Sequence, residues 1–307
     1  MLQLDAQEIA ARLDRGPLID ALQRAFQTDF EAPQRLHYEV SADNTLLIMA
    51  AWRSGGCFGV KLVTIFPENA QRGHSAVCAT YTLFDAAGVP LAVLDGTELT
   101  RRRTAAASAL AARYLARPDA SRLLMVGTGS LAPHVIESHA AVRPIRAVRV
   151  WGRRFAQAKE VARLLAGRPY QIEAAEDLEA AVRWADVISC ATLAESPLVH
   201  GAWLRSGQHV DLIGSFTPGM REIDDDALRR SQIFVDTRQH ALAESGELLH
   251  GLAAGVITLA DIRGELAELV RGTVLGRRSA EEITLFKSVG CAIEDLAAAE
   301  MALRRTV

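Results

Sequence analysis

Leu123-Leu124-Met125-Val126-Gly127-Thr128-Gly129-Ser130-Leu131-Ala132 decides the fold. Four apolar residues in a row have the length and character of a buried strand, and they run directly into Gly-x-Gly-x-x-Ala. In that pattern Gly127 permits a tight turn, Gly129 lets backbone approach a diphosphate, and the small Ala132 lets a helix pack close to the strand. The first amides of that helix then face the phosphates. The pattern alone also fits a structural glycine turn; its neighbours argue for the binding reading. Residues 131–142 have helical spacing, 145–151 read as the next strand, and 155–166 as a helix closed by Gly167.

Working outward, short apolar runs at 186–190, 209–213 and 233–235 continue the alternation of strand and helix that marks βαβ units. The expectation is an α/β protein with a Rossmann-type doubly wound parallel sheet of about five or six strands. Upstream the pattern changes. The opening MLQLDAQEIAARLDRG reads as a helix, and strand-like runs follow at 45–50, 60–65, 76–84 and 90–94, with turns at Gly55-Gly56 and Ala87-Gly88. This predicts a smaller α+β domain. Thr100 is placed to cap an Ala-rich helix over 101–117, which Pro118 ends. The expected division is therefore 1–117 for a substrate-binding and dimerisation domain, completed by a returning last helix over 288–307, and 118–287 for the dinucleotide domain.

Length and charge narrow the functional classes. A chain of 307 residues suits about two domains. Half its residues are hydrophobic and its net charge is -3, so it has material for a core and no basic footprint for nucleic acid. Asp5, Glu8 and Asp14 rule out a secretory or transit peptide at the start, and no stretch of about 20 apolar residues lacks charges, so neither secretion nor a membrane is expected. Cys57, Cys78, Cys190 and Cys291 lie far apart, which fits a reducing cytoplasm. No metal is expected: His134 and His139 are five apart, which is not helical zinc spacing. Asp224-Asp225-Asp226 reads as the acidic start of a helix.

The second strand of the dinucleotide fold carries the cofactor choice. A carboxylate at its end would accept from a free ribose 2′-hydroxyl. Here it ends Val150-Trp151-Gly152-Arg153-Arg154, with no acid and two guanidiniums where a 2′-phosphate would lie. NADP(H) is expected over NAD(H); the alternative is that Arg153 and Arg154 only face solvent at a helix start.

With those residues in place, the chain resembles the ornithine cyclodeaminase/mu-crystallin family over nearly its whole length. The resemblance rests on Gly59-Val60-Lys61-Leu62-Val63, Leu99-Thr100-Arg101-Arg102-Arg103-Thr104-Ala105-Ala106, the glycine turn from Gly127 to Ala132, Ala191-Thr192, and Phe286-Lys287-Ser288-Val289-Gly290 with Glu294-Asp295. Beside the cofactor residues already read from the glycine turn and the second strand (Gly127, Thr128, Gly129, Ser130, Leu131, Arg153 and Arg154), it implies that Thr192, Ser288, Val289 and Gly290 border the nicotinamide and its ribose. It also implies that Arg35, Lys61 and Arg103 meet a substrate carboxylate. That role suits them, since a carboxylate leaving water needs charge-assisted partners, and a guanidinium fork also fixes its orientation. Taken without the family, the three read as solvated surface charges. Lys61 is in addition the candidate proton donor, because neighbouring Arg35 and Arg103 would lower its pKa.

At one place the chain departs from the family. Cyclodeaminases carry an Asp after the strand that here ends Asp211-Leu212-Ile213-Gly214, and Phe216 stands at that position. Phe can neither take a proton nor pair an ammonium. The leading expectation is thus an NAD(P)H-dependent reductase of cyclic ketimines, such as Δ1-pyrroline-2-carboxylate or Δ1-piperideine-2-carboxylate, giving L-proline or L-pipecolate. Ornithine cyclodeaminase is the rival, then alanine dehydrogenase. From another class comes an NADPH-dependent binding protein of the mu-crystallin type. The resemblance also implies a homodimer formed through the smaller domain.

Overall fold

The computed structural model describes residues 1–304, with the side chains at 70–72 left aside. The chain divides into two compact units, Met1–Thr104 with Cys291–Val307, and Ala105–Gly290.

The opening segment of the first unit is not one helix. It is a strand, β1 (Leu2–Leu4), followed by helices α1 (Ala6–Arg12) and α2 (Arg15–Gln27). Asp5 separates strand from helix: its carboxylate accepts from the Glu8 N–H at 2.9 Å, while the Glu8 carboxylate accepts from the Asp5 N–H. That reciprocal cap fixes where the helix can start. Next come β2 (Leu36–Ser41), β3 (Asn44–Trp52), β4 (Phe58–Ile65), β5 (Val77–Phe84) and β6 (Pro90–Asp95). Among the described residues they form a six-stranded sheet in the order β1-β6-β5-β4-β3-β2, with β1 parallel to β6 and the other pairings antiparallel. Its register places Met49, Lys61, Tyr81 and Leu94 in one row across the sheet, and all four are buried.

Helix α3 (Gly96–Leu115) starts earlier than the sequence led us to expect. Asp95, not Thr100, caps it by accepting from the Glu98 N–H at 2.7 Å; Thr100 lies inside, its hydroxyl donating back to the Gly96 carbonyl. The units also part at Thr104/Ala105, within this helix, and not at Pro118. The cause is packing: Ala105, Ala112 and Ala116 share a core with Leu123, Met125, Val148 and Val150 of the second unit's own sheet.

The second unit runs β7 (Arg122–Val126), α4 (Ala132–Val142), β8 (Ala147–Trp151), α5 (Phe155–Leu164), β9 (Gln171–Ala174), α6 (Leu178–Trp184), β10 (Val187–Cys190) and β11 (His209–Leu212). It continues through α7 (Asp225–Arg230), β12 (Ser231–Val235), α8 (Arg238–Glu244), α9 (Gly246–Ala253), β13 (Ile262–Glu265), α10 (Leu266–Arg271) and β14 (Ile283–Lys287). Among the described residues the sheet has eight strands, ordered β13-β12-β14-β11-β10-β7-β8-β9 and parallel throughout, where five or six were expected. Strands β9 and β13 escaped notice because they lie at the edges, where only alternate residues need be apolar. The chain reverses its direction of spread at β7 and β10, and ligands of such sheets bind beyond the strand carboxyl ends at that point.

The last helix, α11 (Ala292–Arg304), belongs to the first unit and packs on α2, β3, β4 and β5. It begins after Ser288, Val289 and Gly290, which form a turn outside any helix; residues 305–307 of the expected range lie outside the described residues. Among the described residues no helix is long and apolar enough to cross a membrane.

Candidate functional site

Beyond β7 the backbone turns at Gly127 with φ 123°, a conformation that side chains other than glycine's rarely tolerate. A Cβ there would also run into the Ala191 carbonyl. The turn opens on a groove of about 760 Å³, lined among others by Gly127, Gly129, Trp151, Arg153, Arg154 and Thr192. Ser130 and Leu131 complete the turn into α4, whose start receives no side-chain cap; the Ala132 N–H donates to the Gly129 carbonyl and Pro133 has none, so the amides of the turn before the helix, rather than those of its first residues, are the ones able to meet a phosphate. Thr128 also lines the groove, and its hydroxyl donates to Gln157 at 3.2 Å. Arg153 and Arg154 are exposed at the groove, just past the end of β8. These features fit a dinucleotide: a diphosphate against backbone amides, and an adenosine ribose beside β8.

Two buried acids, neither anticipated from sequence, hold the neighbouring turns. Glu222 accepts from both the Thr192 N–H at 2.7 Å and the Thr192 hydroxyl at 2.8 Å. Burial pushes its pKa up to about 7; Lys287 opposes the shift and Glu247 adds to it. Asp236 accepts from the Val289 N–H at 2.8 Å, the Gly290 N–H at 2.6 Å and the Ser288 hydroxyl at 3.3 Å. Three donors on one carboxylate pin the turn that Gly290 makes at φ 92°. Asp236 had a usable signal, since it directly follows a parallel strand at its carboxyl end. Glu222 had none: in Met220-Arg221-Glu222-Ile223-Asp224 it reads as one surface charge among several.

In the first unit, Lys61 on β4 faces α11. Its Nζ lies 2.9 Å from the Asp295 carboxylate and donates to the Thr100 hydroxyl at 3.2 Å. Arg103 on α3 donates through Nε to Asp295 at 2.8 Å and through Nη1 to Glu294 at 2.6 Å. Lys61 and Arg103 are only 1% and 4% exposed, so neither is the solvated surface charge that each would be by default. Burial lowers the Lys61 pKa to about 8, with Arg103 and Arg35 adding and Asp295 opposing. The neighbouring cations act as expected, but burial is the larger cause. Burial pushes the Asp295 carboxyl up, yet Arg103 and Lys61 outweigh it and hold the group below its ordinary range. For Arg103, Asp295 and Glu294 outweigh burial and keep it charged. Arg35 is half-buried just before β2 and within electrostatic reach of Lys61.

The structure thus brings Lys61, Arg103 and Arg35 into one cluster, and adds Glu294 and Asp295 to it. Those two acids had a legible signal: adjacent carboxylates in a helix that otherwise reads Ala292-Ile293 and Leu296-Ala297-Ala298. Arg101 and Arg102 pair with Glu98 along α3, at 3.6 and 2.7 Å. Phe216 follows Ser215, whose φ is 55°, and is 37% exposed.

The family model described as the ornithine cyclodeaminase/mu-crystallin family matches residues 4–306. The Δ1-pyrroline-2-carboxylate reductase of Paracoccus denitrificans is 42% identical over 82% of this chain and 80% of its own length. Among solved structures, the Thermococcus litoralis Δ1-pyrroline-2-carboxylate reductase in complex with NADH and L-proline superposes with a TM-score of 0.95 at 34% identity, covering 100% of this chain and 99% of that one. An archaeal alanine dehydrogenase dimer with bound NAD has a TM-score of 0.93 at 31% identity, covering 100% and 97%.

Proposed function

The chain belongs to the ornithine cyclodeaminase/mu-crystallin family, and from that premise we propose that it is an NAD(P)H-dependent reductase of cyclic ketimines, with Δ1-pyrroline-2-carboxylate as substrate and L-proline as product. The observation that carries the reading is the buried Lys61–Asp295–Arg103 cluster, a protonated amine and a guanidinium fork held in place by two carboxylates. The likeness to proteins named for this reaction, one of them with NADH and L-proline bound, supports it.

When bound, the nicotinamide supplies the hydride to the imine carbon. The residues of this chain do the rest. The amides after Gly127 hold the diphosphate, and the turns at Thr192 and at Ser288, Val289 and Gly290 border the nicotinamide and its ribose. Arg103 spends Nε and Nη1 on acids, leaving Nη2 of its fork for a substrate carboxylate oxygen, with Arg35 as the second cation. Lys61 delivers its Nζ proton to the ring nitrogen as the carbon is reduced, and takes another from water afterwards. A pKa of about 8 suits this: the ammonium is present at neutral pH and yields its proton more readily than an ordinary lysine. Asp295 stays ionised and holds Nζ. Phe216 has no group to work on an amine, which argues against ornithine cyclisation.

Three finer points belong to the same proposal. Arg153 and Arg154 favour NADP(H) over NAD(H), since no acid ends β8 and two guanidiniums flank the groove. The outer face of the six-stranded sheet presents Leu36, Tyr38 and Leu62, each 43–51% exposed, and a second copy of the chain is its occupant in a homodimer. The four cysteines, all unpaired, fit a cytoplasmic setting.

The test follows nicotinamide absorbance with Δ1-pyrroline-2-carboxylate and Δ1-piperideine-2-carboxylate, each with NADPH and with NADH. Reduction of the five-membered imine to L-proline is expected. Ammonia release from ornithine without added reductant, with no reduction of either imine, would sink the proposal.

A further inference from the structure

Thr192 lines the cofactor groove just past the end of β10, where the Ala191 N–H still donates to the Val126 carbonyl but both donors of Thr192 itself go to a residue outside the sheet. It follows β10, after Ala191, at the place where the chain leaves the sheet. The Ala191 carbonyl packs against Gly127 so closely that a Cβ would not fit, so a shift of this segment would alter the glycine turn itself. What holds Thr192 itself is Glu222, from a loop 30 residues further on, whose one oxygen accepts from both the amide and the hydroxyl of Thr192.

Glu222 is itself held. Its N–H donates to Glu247 on α9 at 2.6 Å, and its carbonyl accepts from the Leu198 and Val199 N–H groups at 2.9 and 3.0 Å. Lys287, the last residue of β14, stands 3.7 Å from Glu247 and donates to the Gly214 carbonyl. Glu222, Glu247 and Lys287 are all at most 1% exposed, and the other Glu222 oxygen, Oε2, is buried without a hydrogen-bond partner among the described residues. A buried acid under such constraint is costly for a fold to keep, because removing a carboxylate from water is repaid only by well-made bonds. Here the bonds it makes through its side chain go to one residue, and that residue lines the groove.

We infer that Glu222 is a positioning residue for the cofactor: by gripping both donors of Thr192 it sets the wall of the groove beside the glycine turn, and with it the affinity for the nicotinamide dinucleotide. This rests on the reading that the groove binds that cofactor and is independent of which imine is reduced. Glu222 touches no substrate atom in this scheme and acts through Thr192 alone.

Two conservative variants separate this from a merely structural role. In Glu222→Gln the amide oxygen still accepts from both Thr192 donors. In Glu222→Asp the shortened side chain keeps its charge beside Lys287 but withdraws from Thr192. NADH dissociation constants are measured by nicotinamide fluorescence, alongside melting temperature and the KM for each substrate. Glu222→Asp should weaken NADH by about tenfold or more, as expected for losing charge-assisted bonds, while the imine KM stays near that of the wild type. Glu222→Gln should restore binding to within about threefold. The inference is overturned if Glu222→Asp binds NADH within about twofold of wild type, or if both variants lose affinity equally. Should Glu222→Asp fail to fold, Thr192→Val decides, since it removes the hydroxyl partner from the other side; unchanged NADH binding there overturns the inference as well. A wild-type protein that binds neither NADH nor NADPH would instead refute the cofactor reading on which it stands.

Discussion

Asp295 holds Lys61 across the buried face of the first unit, carboxylate to Nζ at 2.9 Å, while its other contacts go to Arg103. A buried ion pair of this kind adds little net stability, because desolvation consumes most of the attraction. In the proposed reaction its use is to place a proton.

Replacing Lys61 by Met should therefore remove turnover and spare cofactor binding. The loss expected of a missing proton donor is about 10²- to 10⁴-fold in kcat. NADH titration of the same preparation should give the wild-type dissociation constant. Turnover above a tenth of wild type would exclude Lys61 from the chemistry.

Asp295→Asn acts on the same proton from the other side. The proposed reaction needs Lys61 protonated, so the rate should fall as pH rises through about 8. Asp295 opposes the downward shift of that pKa, so its neutralisation should move the alkaline limb of kcat/KM to lower pH. A limb that stays in place, or moves to higher pH, contradicts the arrangement.

Glu222 ties stability to pH. Its folded pKa of about 7 lies above the ordinary 4.5, so the folded chain binds the proton more tightly than the unfolded one. The associated stability is present below the ordinary value and is lost as pH rises through the folded one. Relative to Glu222→Gln, the wild type should lose up to about 3 kcal/mol of unfolding free energy between about pH 4.5 and 7. Denaturant titrations at several pH values measure this, and parallel curves for the two proteins would rule it out.

Coenzyme choice can be read at two exposed side chains. The double change Arg153→Ala with Arg154→Ala should reduce kcat/KM for NADPH by about tenfold or more, as expected for lost charge-assisted phosphate contacts, and leave NADH within about twofold. Equal losses with both coenzymes would assign the two arginines to something other than the 2′-phosphate.

The exposed sheet face makes a separate prediction. Leu62→Glu places a charge among Leu36, Tyr38 and Ile48 on that face. Sedimentation should then show monomer where the wild type gives dimer. A dimer that persists in the variant would move the interface elsewhere.

The parts of this protein that follow short-range rules were legible from sequence. The glycine turn, β7 and the alternation behind it depend on residues within a dozen positions of one another, so 123–132 announces both a Rossmann-type sheet and the groove. Strand β14 was not legible as a strand: Ile283-Thr284-Leu285-Phe286-Lys287 lies in the middle of the sheet with every residue buried, yet carries Thr and Lys. Those two are tolerated because Arg277 and the Leu115 carbonyl satisfy Thr284, and Gly214 and Glu247 satisfy Lys287. The same limit hid Glu222, whose partner lies 30 residues away, and no local pattern records a partner at that distance; Asp236, just past the end of β12, at least carried a positional signal. Lys61 and Arg103 were picked out only through family likeness, because a lone cation on a strand or helix gives no sign of being enclosed.

Helix α11 supplies Glu294 and Asp295 to Lys61 and Arg103, and it follows the whole of the second unit along the chain. The second unit is one uninterrupted stretch and can assemble as soon as it has emerged; the first is split in sequence and stays unfinished, its two cations lacking their counter-ions. The amino-terminal segment, although made before the second unit, therefore completes its core after it, and a chain cut before Glu294 leaves Lys61 and Arg103 without these counter-ions.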